Sequence, residues 1–125
     1  MVRVLVIADE EAPNLLPRTL RDIAPDLVLS AGDLPWHYLE YVASCVDVPV
    51  VFVPGNHDPK LTPGRARRRG TYDAEDAEDA ECEGPRPLGA QCLDQDVVEA
   101  AGLRIAGLGG CVRYNSGPHQ YTQRQ

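Results

Sequence analysis

The 125-residue chain, 43% hydrophobic and 25% charged, has room for one domain with a modest core. Its formal charge of −7 argues against the basic face of a general nucleic-acid binder. No apolar stretch reaches the length of a membrane span, and MVRVLVIADEE has no small-residue cleavage site, so it reads as a strand rather than a signal peptide.

The first element is a strand over Val2–Ala8, a nearly continuous apolar run rich in β-branched residues. A helix follows with Leu16, Leu20 and Ile23 on one face, its start limited by Pro17 and its end set by Pro25. Leu27–Ala31 is a second strand. In PWHYLEYVASCV the residues Trp36, Leu39, Val42, Ala43 and Val46 keep helical spacing, with Pro35 in the first turn. Val48–Val53 is a third strand. Strand, helix, strand, helix, strand predicts an α/β fold of βαβαβ units with a mostly parallel sheet covered on both faces.

Residues 59–91 change character. The basic cluster PGRARRRG and the repeat DAEDAEDAE bring charge, proline and glycine with few large apolar groups. They read as a mobile charged insertion, because such a stretch buries too little surface to offset its ordering entropy. Beyond it, Val97–Val98 and Leu103–Ile105 flank Ala101-Gly102 and predict a β-hairpin. Cys45, Cys82, Cys92 and Cys111 show neither a C-x-x-C pair nor zinc spacing, a pattern that fits reduced thiols in a cytoplasmic protein.

Chemistry gathers where the three strands end. They finish in Ala8-Asp9-Glu10-Glu11, Ala31-Gly32-Asp33 and Pro54-Gly55-Asn56-His57-Asp58. In an open parallel sheet these ends share one edge. Carboxylates collected there repel one another unless a cation joins them, and divalent metal is the simplest physical answer. Asp9 and Glu11, two apart on an extended segment, suit one ion. Asp33 suits a bridge between two, and Asn56 offers a neutral hard oxygen to the second. Paired ions about 3.5–4 Å apart generate a hydroxide and clamp an in-line displacement at phosphorus. His57 is placed to protonate the departing alkoxide, and Asp58 to fix its tautomer. Singly, Asp9, Asp33 and Asn56 read as turn formers or caps; it is their joint occurrence at three strand ends that signals a site. Glu10 reads as solvated, His37 as a packing or surface residue, and Arg113 as solvated with phosphate contact as the alternative.

Gly-Asp at 32–33 and Gly-Asn-His-Asp at 55–58, after a first strand ending in Asp, resemble the calcineurin-like metallophosphoesterases. The resemblance implies half of a four-layer α/β-β/α fold and metal-dependent phosphoester hydrolysis by a metal-bound hydroxide. By it, Asp9 is a ligand of one metal, Asp33 the bridge, Asn56 a ligand of the other and His57 the leaving-group acid. The implied cofactors are divalent ions, two in a complete domain, with Mn or Fe favoured and Zn, Ni or Mg as alternatives. The implied partner is a small phosphoester substrate. Two departures stand out: Glu11 occupies the place of a family His, and the last two His motifs have no counterpart. ADEE and the GLGG…RY…GPH…YT segment are similar to a bacterial subgroup of the family, in which the Glu is native. The expectation is one shortened domain over 1–125, whose uncovered strand faces favour self-association. The rival reading is a non-catalytic metal- or partner-binding remnant. Haloacid-dehalogenase-type phosphatases and receiver domains also end a strand in acid, but they do not account for Gly-Asn-His-Asp.

Overall fold

The computed structural model of the protein describes residues 1–61, 86–122 and 124. Four strands, β1 (Val4–Ile7), β2 (Leu27–Ser30), β3 (Val50–Phe52) and β4 (Gln91–Cys92), form one sheet in that order, every pair parallel. Helices α1 (Pro17–Ile23) and α2 (Trp36–Cys45) are the crossovers. The hairpin is β5 (Asp96–Ala100) against β6 (Leu103–Gly107), antiparallel, and a short parallel pair joins β7 (Cys111–Val112) to β8 (Gln120–Tyr121). The expected α/β architecture, both helices and the hairpin are present.

Strand alternation sorts the sheet into two faces. Leu5, Ile7, Val28, Val50, Phe52 and Cys92 point to the helices and pack with Leu20, Leu39 and Val42. Each such fully buried Leu or Val contributes about 1.5–3 kcal/mol. α1 starts on a proline in its first turn and stops at Ala24 (φ 48°), whose N–H closes on Leu20 O before Pro25. On the other face Leu27, Val51 and Leu93 are buried, with Leu29, Val53, Val98 and Ile105 packed against them.

That second face is only partly covered. The hairpin lies over the β3–β4 side, while Val4 and Val6 of β1 are 39% and 60% exposed. An apolar groove of about 230 Å³ opens between sheet and hairpin, lined by Val6, Leu29, Val53, Ile105 and Leu108 among others. The expectation of strands covered on both faces therefore holds for β2 and β3 but not for β1, which has no second layer among the described residues.

Three short strands went unread in the sequence. Most of the expected charged insertion at 59–91, with Cys82, lies outside the described residues. Its C-terminal end belongs to the fold: Pro87 is fully buried and Gln91–Cys92 extend the sheet as β4. β7 and β8 are likewise two residues long, too short to show a period. Among the described residues no helix is long and apolar enough to cross a membrane, and Cys45, Cys92 and Cys111 are free thiols.

Candidate active site

Register decides what meets at the sheet edge. Ile7 pairs with Ser30, Ser30 with Phe52 and Phe52 with Cys92, so the four strands end level with one another. The loops carrying Asp9, Asp33 and Asn56–Asp58 thus leave the sheet side by side. The Asp9 N–H donates to Gly32 O at 3.2 Å, joining the first loop to the second.

The second and third loops interlock. Asp58 is buried, and its Oδ2 accepts the N–H of Gly55 at 2.7 Å and of Asp33 at 3.0 Å. Asp33 answers by accepting the His57 N–H on Oδ1 at 2.8 Å. Backbones this close leave no space for a side chain: a Cβ on Gly32 would lie 2.5 Å from Gly55 N, and one on Gly55 would overlap the Asp33 carboxylate. The two glycines therefore serve close contact between the loops.

Asp9 (φ 62°) and Asp33 (φ 59°) both adopt the left-handed backbone region. The Glu10 N–H reaches back to Ala8 O at 2.7 Å, a three-residue turn centred on Asp9. Such backbone costs about 1–3 kcal/mol per residue and concentrates at functional sites. It also overturns the premise that residues 9–11 are extended. With the chain turned at Asp9, Glu11 faces α2, where its Oε1 lies 3.3 Å from His37 Nε2 in an exposed pair.

Asp58 differs from expectation as well. Among the described residues neither of its oxygens meets the His57 ring, which is exposed. Adjacent side chains at this turn part company, one entering the core to bind backbone and the other facing solvent. Asn56 Nδ2 donates to the Tyr114 hydroxyl at 3.0 Å, leaving its Oδ1 without a hydrogen-bond donor among the described residues. Sequence reasoning met this tyrosine only as the Y of the GLGG…RY segment and gave it no role, since no local pattern marks a contact across 58 positions.

Among the described residues no three of His, Cys, Asp and Glu gather into a metal-holding group. The structure thus brings Asp33, Asn56, His57 and Asp58 together, sets Asp9 beside them through its backbone, and turns Glu11 away. The oxygen set at the interlocked loops still suits a divalent cation in kind. Asp33 Oδ2 has no partner among the described residues, Asn56 Oδ1 is open, and both are hard ligands.

A sequence model of the calcineurin-like phosphoesterases matches residues 2–120. No curated protein and no solved structure matches the chain. A match over nearly the whole length, on a parallel sheet whose loop ends carry Gly-Asp and Gly-Asn-His-Asp, settles the affiliation: the chain belongs to the calcineurin-like phosphoesterase family.

Proposed function

We propose that the protein is a metal-dependent phosphoester hydrolase whose centre is built on the loops after β2 and β3. The observation that carries this reading is the mutual locking of those loops by Asp58 and Asp33, which seats Asn56 and His57 beside the Asp33 carboxylate. Asp33 and Asn56 would hold the divalent cations, with Asp9 completing the set from the neighbouring turn. Bound cations supply Lewis acidity toward the phosphoryl oxygens and lower the pKa of water at the site. His57, with an exposed ring on a fixed backbone, donates the proton that the leaving oxygen needs. Asp58 does not touch substrate in this scheme; it holds Gly55 and Asp33 in place. Mn or Fe suits the oxygen-rich set best, and a small phosphoester is the substrate class.

The test is hydrolysis of phenyl and 4-nitrophenyl phosphates, mono- and diesters, by the protein supplied with Mn²⁺. Asp33→Asn is expected to abolish turnover. His57→Gln is expected to cost about 100-fold or more, and more with phenyl than with 4-nitrophenyl esters, because the poorer leaving group depends on the acid. Full activity in both variants would refute the assignment.

One observation favours a second reading, a fold that binds metal or a partner without turnover: Glu11 is paired with His37 rather than gathered with the other carboxylates. Mn²⁺ binding without hydrolysis of any of these esters would select it. Either reading includes self-association through the exposed face around Val4 and Val6, which sedimentation of wild type against Val6→Lys measures.

A further inference from the structure

The C-terminal segment of the described chain is bound to the Gly-Asn-His-Asp loop at three points. The Gly110 N–H donates to Pro54 O at 2.8 Å, the Tyr114 hydroxyl takes Asn56 Nδ2 at 3.0 Å, and His119 Nε2 donates to Pro59 O at 2.8 Å. The outer two contacts hold backbone. The middle one alone holds a side chain, and it is one assigned above to the cation.

Tyr114 is placed there by design of its own loop. β7 and β8 pair Cys111 with Gln120 and Val112 with Tyr121, closing a loop over 113–119. Gln120, 6% exposed, directs its Oε1 into that loop and accepts the N–H groups of Tyr114 and Asn115 at 3.1 Å each. The backbone at Tyr114 is thus fixed by a buried acceptor. The residue as a whole, in contrast, is 65% exposed, so burial of the ring does not explain its position. What the ring does is carry a hydroxyl to Asn56.

We propose that Tyr114 is a positioning residue that sets the orientation of the Asn56 side-chain amide, so that Asn56 Oδ1 is presented to a divalent cation. An amide is planar: once Nδ2 is committed to an acceptor, Oδ1 lies on the opposite side of Cγ. A cation on that oxygen would draw electron density from the amide and make Nδ2–H a stronger donor to the tyrosine, so the two contacts reinforce each other. The inference rests on the proposed metal centre and adds to it a residue from a different part of the chain, with a role no motif supplies.

The test compares wild type with Tyr114→Phe, which removes the hydroxyl and keeps the ring. In the metal-free protein, the Asn56 side-chain amide resonances, identified by their loss in Asn56→Ala, are expected to shift and to exchange faster with solvent. Mn²⁺ affinity, read from the electron-spin resonance of free Mn²⁺, is expected to fall about 10-fold, with the melting temperature unchanged. In the Asn56→Ala background, Tyr114→Phe is expected to add no further loss. Unmoved amide resonances, unchanged Mn²⁺ affinity, or an equal loss in the Asn56→Ala background would each overturn the positioning role. Wild type that binds no Mn²⁺ would instead overturn the metal centre itself and this inference with it, a failure separable from the others because it is seen before any substitution.

Discussion

The loops after β2 and β3 and the loop after β1 leave the same sheet edge, yet they are held by different forces. The first two are tied by two hydrogen bonds to carboxylate oxygens, Asp33 N–H to buried Asp58 and His57 N–H to Asp33, while Gly55 N–H to Asp58 braces the β3 loop itself and glycine packs against glycine. Among the described residues the third is joined to them by a single backbone hydrogen bond at 3.2 Å, and its acidic side chains stand in solvent. Charge-assisted bonds to backbone in a partly dry setting are worth far more than an exposed ion pair. One part of the candidate centre is therefore rigid before any cation arrives, and the other owes its arrangement to one turn at Asp9.

The contrast can be broken most severely at Asp58. Asp58→Ala leaves the N–H groups of Gly55 and Asp33 without their acceptor, and urea denaturation is expected to show a loss of about 2–4 kcal/mol. Asp58→Asn keeps one oxygen able to accept both bonds and is expected to lose roughly half as much. Equal losses in the two variants would show that the carboxylate acts by charge rather than by geometry. Gly55→Ala comes next. Its methyl group would collide with Asp33, and the forced shift is expected to cost about 1–3 kcal/mol and to weaken Mn²⁺ binding together with stability.

The β1 loop sharpens the comparison from the other side. Glu11→Gln disrupts only an exposed pair with His37, so stability is expected to stay within about 0.5 kcal/mol of wild type. Its Mn²⁺ affinity is the informative readout. A loss without destabilisation would mean that Glu11 leaves His37 to join the cation, and no loss would confine the centre to Asp9, Asp33 and Asn56. The smallest effect concerns Cys92, whose thiol is pushed up by burial. The thiolate of a group so raised forms only at higher pH. Alkylation of Cys92 in the folded protein is therefore expected to reach its half-maximal rate at higher pH than an ordinary cysteine, and unfolding in urea is expected to remove the difference.

Much of this was legible along the chain. Runs such as LVLSA and VPVVFV announce strands because both faces of β2 and β3 are apolar, and Leu16, Leu20 and Ile23 announce α1 by their period. The Gly-Asp and Gly-Asn-His-Asp motifs fall at one sheet edge, as expected, because they directly follow strands that end level with one another. Other features were not legible, for physical reasons. β4, β7 and β8 are each two residues long and exist through partners that are distant in sequence. The expectation for Glu11 assumed an extended segment, whereas Asp9 carries a left-handed turn that its residue type permits but does not announce.

Sequence alone determined the order β1, α1, β2, α2, β3, the parallel pairing of these strands and the residues available at their edge, because periodicity and chain connectivity are local or nearly so. Tertiary structure decided which of those residues face one another. It gave Asp58 to the backbone of two loops, Glu11 to His37 and Asn56 to Tyr114, because hydrogen bonds form across whatever distances packing closes, and no spacing along a chain records them.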